Sequence, residues 1–196
     1  MTHFILLRHG QTEWNLTRRY QGQTDIPLND TGIKQAHEAY EKLKNVPFDL
    51  VFCSDLSRAK QTAQIVLEGR NCSINFDKIL RERSYGDYEG GSFESSKMDP
   101  AVVDDIKKHP LTFAFPHGET VLDVAKRAKL FYYNIHSLYP DKSILVVSHG
   151  SFISVFYCMM AKIPLEMRHT YIPHNADPVF VDCNEDEIDI ITNGCV

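Results

Sequence analysis

Short apolar segments alternate with amphipathic segments along the 196 residues of this chain. The apolar segments have the length of β-strands, and the amphipathic ones repeat their apolar positions with the period of an α-helix. Strands are predicted at residues 3–7, 49–53, within 73–80, and at 143–148, 178–183 and 188–192, and helices at 30–44, 56–67, 101–108, 121–139 and 151–161. This alternation predicts an α/β fold, a three-layer α/β/α sandwich around a mainly parallel sheet.

The predicted helices carry signals for their starts and for their buried faces. Asn29 or Asp30 is suited to cap the first helix, and Thr120 with Asp123 has the spacing of a capping box before the fourth. The periodicity of the first two helices also predicts an inward face for each. The inward residues are Ile33, Ala36, Tyr40 and Leu43 in the first helix and Leu56, Ala59, Ala63 and Val66 in the second.

A chain of this length is expected to form one domain, residues 1–196. Residues 10–28 are predicted as a polar loop, and the segment from about 81 to 116 as a loop and helix insertion that covers the active site. The last two strands are predicted to form a hairpin that turns at residues 184–186. The acidic side chains of this region fit a solvated hairpin, and they are Asp177, Asp182, Glu185, Asp186, Glu187 and Asp189.

Composition and charge narrow the class of protein. The net charge of −5 argues against a nucleic-acid-binding surface. Five widely spaced cysteines without a C-x-x-C pair predict free thiols in a reducing compartment rather than disulfides or a zinc site. The apolar stretch at 144–165 is broken by polar residues, so it indicates a buried strand and helix rather than a membrane span. Without a signal-peptide pattern, we expect a cytoplasmic protein that binds neither nucleic acid nor membrane.

Arg8, His9 and Gly10 follow the first predicted strand. A cation, a nitrogen nucleophile and a flexible turn meet there, a combination that phosphoryl transfer needs when no metal takes part. In open α/β sheets, ligands bind beyond the carboxyl ends of the strands. Residues 54–58 and His149 follow two other predicted strands. The topology alone therefore brings three separated segments to one edge of the sheet.

Five motifs occur in order along the chain: RHGxTxxN at 8–15, SDLSRAKQTA at 54–63, LRE at 80–82 followed by GDYEG at 86–90, GET at 118–120, and SHG at 148–150. Together they resemble the signature of the histidine phosphatase superfamily, in its phosphoglycerate-mutase-like branch. The resemblance extends from residue 3 to about residue 176. It implies the fold of that branch and phosphoryl-transfer chemistry without a metal or another cofactor.

The resemblance implies five catalytic residues, Arg8, His9, Arg58, Glu82 and His149. The neutral imidazole of His9 would attack phosphorus and carry the phosphoryl group as phosphohistidine. The two arginines and His149, which would serve best when protonated, would hold the phosphoryl oxygens. Glu82 would donate a proton to the leaving alkoxide and then accept one from water.

Residue spacing alone leaves two of these roles open. Glu89 and Glu94 compete with Glu82 for the acid role, and the resemblance selects Glu82. An isolated Arg58 would be interpreted as a surface residue of a helix. Its place in the first turn, where backbone N–H groups are expected to be free to face an anion, favours phosphate binding.

The resemblance also implies a second group of residues that contact phosphate or substrate. They are Thr12, Asn15, Gln21, Gly22, Tyr85, Gly150 and Ser151. His169 and His174 lack the spacing of a metal site, so no metal is expected. The expected partner is a small phosphorylated metabolite, and the chain is expected to be a monomer or a homodimer. Roles for His117 and His174 near the substrate remain open.

Three functions are compatible with these motifs. The segment from 90 to 116 is short and offers Lys97, Lys107 and Lys108 but no arginine, so it would hold a sugar acid's carboxylate less well than the longer mutases of the family do. This favours hydrolysis of small phosphomonoesters. The alternative is a 2,3-bisphosphoglycerate-dependent phosphoglycerate mutase. A binding protein without turnover is the least favoured, because all five charged or nucleophilic catalytic positions are filled.

Overall fold

The computed structural model describes residues 1–94, 97–183, 188–189 and 191–192. In this part of the chain, five strands form one sheet in the order β3-β2-β4-β1-β5. The strands are β1 (Thr2–Arg8), β2 (Leu50–Cys53), β3 (Ile74–Phe76), β4 (Ser143–Ser148) and β5 (Pro178–Cys183). The first four are parallel, and β5 pairs antiparallel with β1 at one edge. The predicted α/β class with a mainly parallel sheet is confirmed.

The described helices flank this sheet. They are α1 (Glu13–Leu16), α2 (Asp30–Leu43), α3 (Ser57–Val66), α4 (Pro100–Lys108), α5 (Val121–Leu138) and α6 (Gly150–Met160). Short 3₁₀ helices lie at Lys78–Leu80, Gly86–Tyr88 and Leu165–Tyr171. The predicted helices thus agree with the structure to within about two residues, which is the usual uncertainty of a helix end. The capping box of Thr120 with Asp123 is present at the start of α5.

The strands bury both of their faces. On one face, Ile5 and Leu7 of β1 pack with α2 and α3. On the other, Phe4 and Leu6 pack with α5 and α6. Successive side chains of a strand point to opposite faces, so a nearly continuous apolar strand holds two helical layers together. The three-layer sandwich expected from the sequence is confirmed.

The predicted terminal hairpin is only half right. Its first strand is β5, but the structure assigns no strand to residues 188, 189, 191 and 192, and the predicted turn at 184–186 lies outside the described residues. Ile188 is buried in the core beside α5 and α6, and the carbonyl of Ile191 accepts a hydrogen bond from Leu165 N. Instead of forming a strand beside β5, this segment buries Ile188 in the core and hydrogen-bonds through Ile191 to Leu165.

The start of α2 packs tightly against the turn after β1. A Cβ atom on Gly10 would lie 2.4 Å from the carbonyl oxygen of Gly32, so both positions need glycine. The buried face of α2 accordingly carries the small residues Gly32, Ala36 and Ala39, followed by Leu43 at its end. Ile33, predicted to face inward, is 39% exposed. The close approach of Gly10 to Gly32 fixes the position of the residues beside Gly10.

One further element was not predicted. The four residues of α1 fall within the polar segment 10–28, where the sequence indicated only a loop. Thr12 caps this helix and forms a capping box with Asn15. The predicted strand and helix at 144–165 are confirmed as β4 and α6. Across the described residues, no helix is both long enough and apolar enough to cross a membrane.

Candidate active site

A cavity of about 380 Å³ opens where β1 and β4 end. Ten of the twelve residues that the sequence nominated line it: Arg8, His9, Asn15, Gln21, Gly22, Arg58, Glu82, Tyr85, Gly150 and Ser151. Thr12 and His149 are fully buried and do not reach the cavity wall. The predicted convergence of three segments at one sheet edge is therefore observed, and two nominated residues support the site from behind.

His9 lies directly after β1, and its backbone N–H donates to Ser148 O of β4 at 3.0 Å. Its Nδ1 atom is 2.7 Å from Gly10 O. Because a carbonyl oxygen only accepts hydrogen bonds, Nδ1 carries the proton and Nε2 keeps its lone pair. Burial, followed by repulsion from Arg58 and Arg8, holds the pKa of His9 well below its ordinary value. The imidazole is therefore neutral at pH 7 with one nucleophilic nitrogen.

His149 is locked in the opposite tautomer. Its Nδ1 accepts a hydrogen bond from Arg58 Nε at 3.2 Å, so its Nε2 donates to Ser54 Oγ at 2.8 Å. Burial, followed by repulsion from Arg58, places the pKa of His149 well below its ordinary value. His149 is therefore neutral in this ligand-free site, because Nδ1–H would face a guanidinium donor, and its protonation beside a bound phosphate stays a prediction.

Arg8 and Arg58 place two buried guanidinium groups beside His9. Arg58 uses three of its five N–H donors, on His149, Thr24 O and Gly22 O. Arg8 donates from Nη1 to Pro173 O at 2.9 Å, whereas its buried Nε has no hydrogen-bond partner. Burial lowers the pKa of both groups, that of Arg58 to about 10. The donors left over suit an anion with several oxygens.

We call the group of Arg8, His9, Arg58 and His149 the phosphoryl pocket. One expectation about it is wrong. The first turn of α3 was expected to present free N–H groups, but Asp25 accepts from both the backbone N and the Oγ of Ser57 at 2.7 Å. A carboxylate from the 10–28 segment thus caps the helix. The positive charge of the pocket comes from the Arg58 side chain and not from this helix start.

Glu82 is the acidic residue that lines the cavity. Its two carboxylate oxygens accept from Ser151 N at 3.1 and 3.2 Å, at the start of α6. These contacts orient the carboxyl group of Glu82 at the start of α6. The competing Glu89 instead accepts hydrogen bonds from the 23–24 segment and from Tyr85 N, and Glu94 pairs with Lys97 at 2.9 Å. Neither residue lines the cavity.

A clamp of Arg127 and Glu119 holds the backbone that carries Glu82. The two side chains form an ion pair at 3.0 Å, and both are largely buried. Glu119 also accepts from Ser84 N at 2.8 Å. The guanidinium of Arg127 donates to three carbonyl oxygens of the segment, those of Ile79, Arg81 and Glu82. The clamp therefore fixes the start of the cavity-lining segment on both sides of Glu82.

The remaining nominated residues set the cavity floor. The Oδ1 atom of Asn15 accepts hydrogen bonds from Thr12 N and from Thr12 Oγ1. These bonds do not use the amide N–H groups of Asn15, which lines the cavity. Gly22 has a positive φ of 53°, and its carbonyl is the acceptor for Arg58. Gln21 has a buried Oε1 without a hydrogen-bond partner. Tyr85 hydrogen-bonds Ser151 Oγ at 3.2 Å, and burial raises the pKa of Tyr85 to about 12.

The structure adds five cavity-lining residues that sequence reasoning missed, Arg19, Tyr20, Phe93, His169 and Ile172. We define the aromatic wall as Tyr20, Tyr85 and Phe93. The ring of Tyr20 lies 4.6 Å from Tyr85 and 5.8 Å from Phe93. Tyr20 comes from the 10–28 segment, and Tyr85 and Phe93 come from the 81–116 segment, so no periodicity relates the three along the sequence. All three rings line the cavity.

His117 and His174, whose roles the sequence left open, lie outside this cavity. His117 is exposed and contacts Asp87 at 3.1 Å, and His174 is exposed. Neither residue lines the cavity wall. Within the described ranges, no group of three His, Cys, Asp or Glu side chains is arranged to hold a metal ion.

Known proteins show the same arrangement of sequence and fold. The chain matches the family model of the histidine phosphatase superfamily (branch 1) over residues 4–194. It is 38% identical over 153 residues to "uncharacterized phosphatase PhoE" of Bacillus subtilis (strain 168), covering 78% of this chain and 74% of that protein. It is 31% identical over 169 residues to "probable phosphoglycerate mutase GpmB" of Erwinia tasmaniensis, covering 84% and 77%.

A solved structure agrees over the whole chain. Bacillus stearothermophilus YhfR matches this structure with a TM-score of 0.85 at 30% sequence identity. The match covers 100% of this chain and 98% of that one. The similarity thus includes the sheet, both helical layers and the segments that form the cavity.

Proposed function

Because the chain belongs to the histidine phosphatase superfamily (branch 1), we propose that it is a metal-independent phosphatase that hydrolyses small phosphomonoesters through a phosphohistidine. One observation carries the proposal. His9 is neutral with its Nδ1–H held by Gly10 O, and it lines one cavity together with Arg8 and Arg58. A nucleophilic nitrogen beside unused guanidinium donors is what attack on a phosphate dianion requires.

The proposed reaction has two steps. In the first, His9 Nε2 forms a bond to phosphorus while the ester P–O bond breaks and the leaving oxygen takes the proton of Glu82. In the second, water attacks phosphorus, the N–P bond breaks, and the Glu82 carboxylate accepts the proton of the water. The products are the alcohol and phosphate, with His9 and protonated Glu82 restored. Arg8 and Arg58 hold the equatorial oxygens in both steps.

His149 contributes from behind Arg58 in this proposal. Its neutral Nδ1 accepts from Arg58 Nε and thereby orients the guanidinium. The arrival of a phosphate dianion would favour a protonated imidazole. Substrate contacts are proposed for the remaining nominated residues, with Thr12 acting through the orientation of Asn15. These residues are Asn15, Gln21, Gly22, Tyr85, Gly150 and Ser151.

A phosphoglycerate mutase is the second candidate, supported by the similarity to a protein named as a probable mutase. A mutase would return the phosphoryl group of His9 to a second hydroxyl instead of to water. It needs a long-lived phosphohistidine and a bisphosphorylated primer. Hydrolysis is favoured because the 90–116 segment contains no arginine to retain a sugar acid during the exchange.

The test is phosphate release from a panel of small phosphomonoesters in the presence of EDTA, with p-nitrophenyl phosphate as a reporter. The panel includes 3-phosphoglycerate with and without 2,3-bisphosphoglycerate. Release from several esters that chelation does not change supports the phosphatase. Conversion of 3- to 2-phosphoglycerate only with the primer, and no release, would move the assignment to a mutase. Quenching in alkaline denaturant should trap a phosphate on the chain that is stable in base and lost in acid.

A further inference from the structure

Two arginines outside the phosphoryl pocket come together beside the candidate active site. Arg83 and Arg168 line two smaller cavities of about 110 and 130 Å³. Tyr85 and His169 line both of these cavities and also the cavity that contains His9. Only these side chains and their neighbours therefore separate the two arginines from the space next to the phosphoryl pocket.

Neutral carbonyl groups hold both guanidinium groups in place. Arg168 is 6% exposed and donates to Leu165 O and Pro110 O, each at 3.2 Å. Arg83 donates from Nε and Nη2 to two backbone carbonyl oxygens, those of Glu119 at 2.7 Å and Phe113 at 2.8 Å. Carbonyl oxygens orient a guanidinium, but they do not neutralise its charge.

The charge of this pair is poorly compensated. Burial, followed by repulsion from Arg83, lowers the pKa of Arg168 to about 10, and this repulsion exceeds the attraction from Tyr85 or Glu166. The carboxylate of Glu119 is committed to Arg127. Desolvation, followed by repulsion from Arg168 and Arg83, also lowers the pKa of His169. Like charges held together in a partly dry site favour an anion as the missing partner.

We propose that Arg83 and Arg168 form a second anion subsite, which binds a carboxylate or a second phosphate on the leaving alcohol of the substrate. The proposal rests on the proposed phosphatase function and narrows its substrate class to phosphomonoesters with a second anionic group. The two smaller cavities have room for such a group, since one water occupies about 30 Å³ in the liquid.

The first experiment compares matched substrates in phosphate release. 3-Phosphoglycerate carries a carboxylate where glycerol 3-phosphate carries a hydroxymethyl group. Fructose 1,6-bisphosphate carries a second phosphate that fructose 6-phosphate lacks. The wild-type chain should prefer the doubly anionic member of at least one pair by about 10-fold or more in kcat/KM, as charge-assisted hydrogen bonds predict. The preferred pair identifies the anion. A ratio near one for both pairs would overturn the proposal.

The second experiment uses Arg168→Met, which keeps an unbranched apolar side chain, and Arg168→Lys, which keeps the charge. Arg168→Met should lower the preference ratio by about 10-fold, mainly through KM, and Arg168→Lys should retain part of it. Lys34→Met, an exposed lysine of α2, is the matched control for the loss of one positive charge, and its ratio should equal that of the wild type.

The outcomes separate a ligand site from a structural role and from a failed function. If Arg168 only ties loops together, Arg168→Met will lower kcat/KM for both members of a pair in parallel and leave the ratio intact, which refutes the subsite. If p-nitrophenyl phosphate is hydrolysed but no pair shows a preference, the subsite fails and the phosphatase stands. If no ester is hydrolysed, the proposed function itself fails.

Discussion

The phosphoryl pocket and the aromatic wall both contribute to one cavity, and they are built in different ways. Every residue of the phosphoryl pocket lies at the end of β1, at the end of β4 or in the first turn of α3. Backbone carbonyl groups and neighbouring side chains fix the polar atoms of the pocket. The residues of the aromatic wall come from two loop segments, 10–28 and 81–116, and are held by ring contacts.

This difference separates chemistry from selectivity. In-line attack on phosphorus tolerates little misplacement of the nucleophile or the donors, and a sheet edge provides that rigidity. The leaving group varies between substrates, so the side that contacts it can vary with the loops. We therefore expect changes in the phosphoryl pocket to affect all esters, and changes in the aromatic wall to discriminate among them.

The largest effect is expected for His9→Ala. Loss of the nucleophile should lower kcat by roughly 10³-fold or more on every ester, including p-nitrophenyl phosphate. The fold should persist, because His9 faces a cavity at a strand end. Steady-state kinetics and circular dichroism measure the two effects. Turnover close to the wild type in a folded His9→Ala would exclude a phosphohistidine pathway.

Glu82→Gln should slow alkyl phosphates by roughly 10²- to 10³-fold, because their alkoxides need a proton. p-Nitrophenyl phosphate should lose much less, since its leaving group is stable as an anion. Glu94→Gln, in the same loop segment but outside the cavity, is the matched control and should behave as the wild type. Equal losses on both kinds of ester would require a different proton donor.

Acid should destabilise the protein through the phosphoryl pocket. The folded pKa values of His9 and His149 lie below those of the unfolded chain, so the unfolded state binds more protons once the pH falls below about 6.5. The free energy of unfolding should fall by up to about 1.4 kcal/mol per histidine between pH 7.5 and 5.5. Urea denaturation at the two pH values measures this difference.

Two histidine variants test whether this pH dependence of stability comes from the buried imidazoles. His149→Gln removes one of the two buried imidazoles, so the loss of stability between pH 7.5 and 5.5 should become smaller. His37→Gln changes an exposed histidine of α2 and should leave the loss as in the wild type. If the stability of the wild type is unchanged at pH 5.5, the two imidazoles are not held neutral in the folded state.

The smallest effect is expected for Arg127→Met, which breaks the clamp that positions Glu82. Arg127 does not line the cavity, so it should act only through the orientation of Glu82. Alkyl phosphates should lose about 10-fold in kcat with little change in KM, and p-nitrophenyl phosphate should lose less. Arg127→Lys should recover part of this loss. Parallel losses on both kinds of ester would show a general structural role instead.

The sequence was sufficient for one side of the cavity. The layer order, the bounds of four of the five strands, and the positions of His9 and His149 after strands and of Arg58 in the first turn of α3 follow from periodicity and ordered motifs. The short β3 was located only within a wider range. Periodicity works here because each buried strand or helix must present apolar residues at its own repeat, whatever the tertiary partners are.

The same reasoning failed where long-range packing decides the outcome. The capping of α3 by Asp25 depends on groups that meet only in the folded chain. The prediction of a second hairpin strand at 188–192 was wrong because Ile188 packs in the core. The alternation of apolar residues at 188–192 carries no information about which element they cover.

By itself, the sequence determined the α/β layer order, the family and the residues of the phosphoryl pocket, because local periodicity and closely spaced motifs encode them. The tertiary structure decided which carboxylate lines the cavity, which tautomers the two histidines adopt, and that Tyr20 and Phe93 line this cavity while Arg83 and Arg168 line two smaller ones. These outcomes bring together residues up to about 150 positions apart, whose pairing is set by the burial of side chains and charges and not by any local repeat.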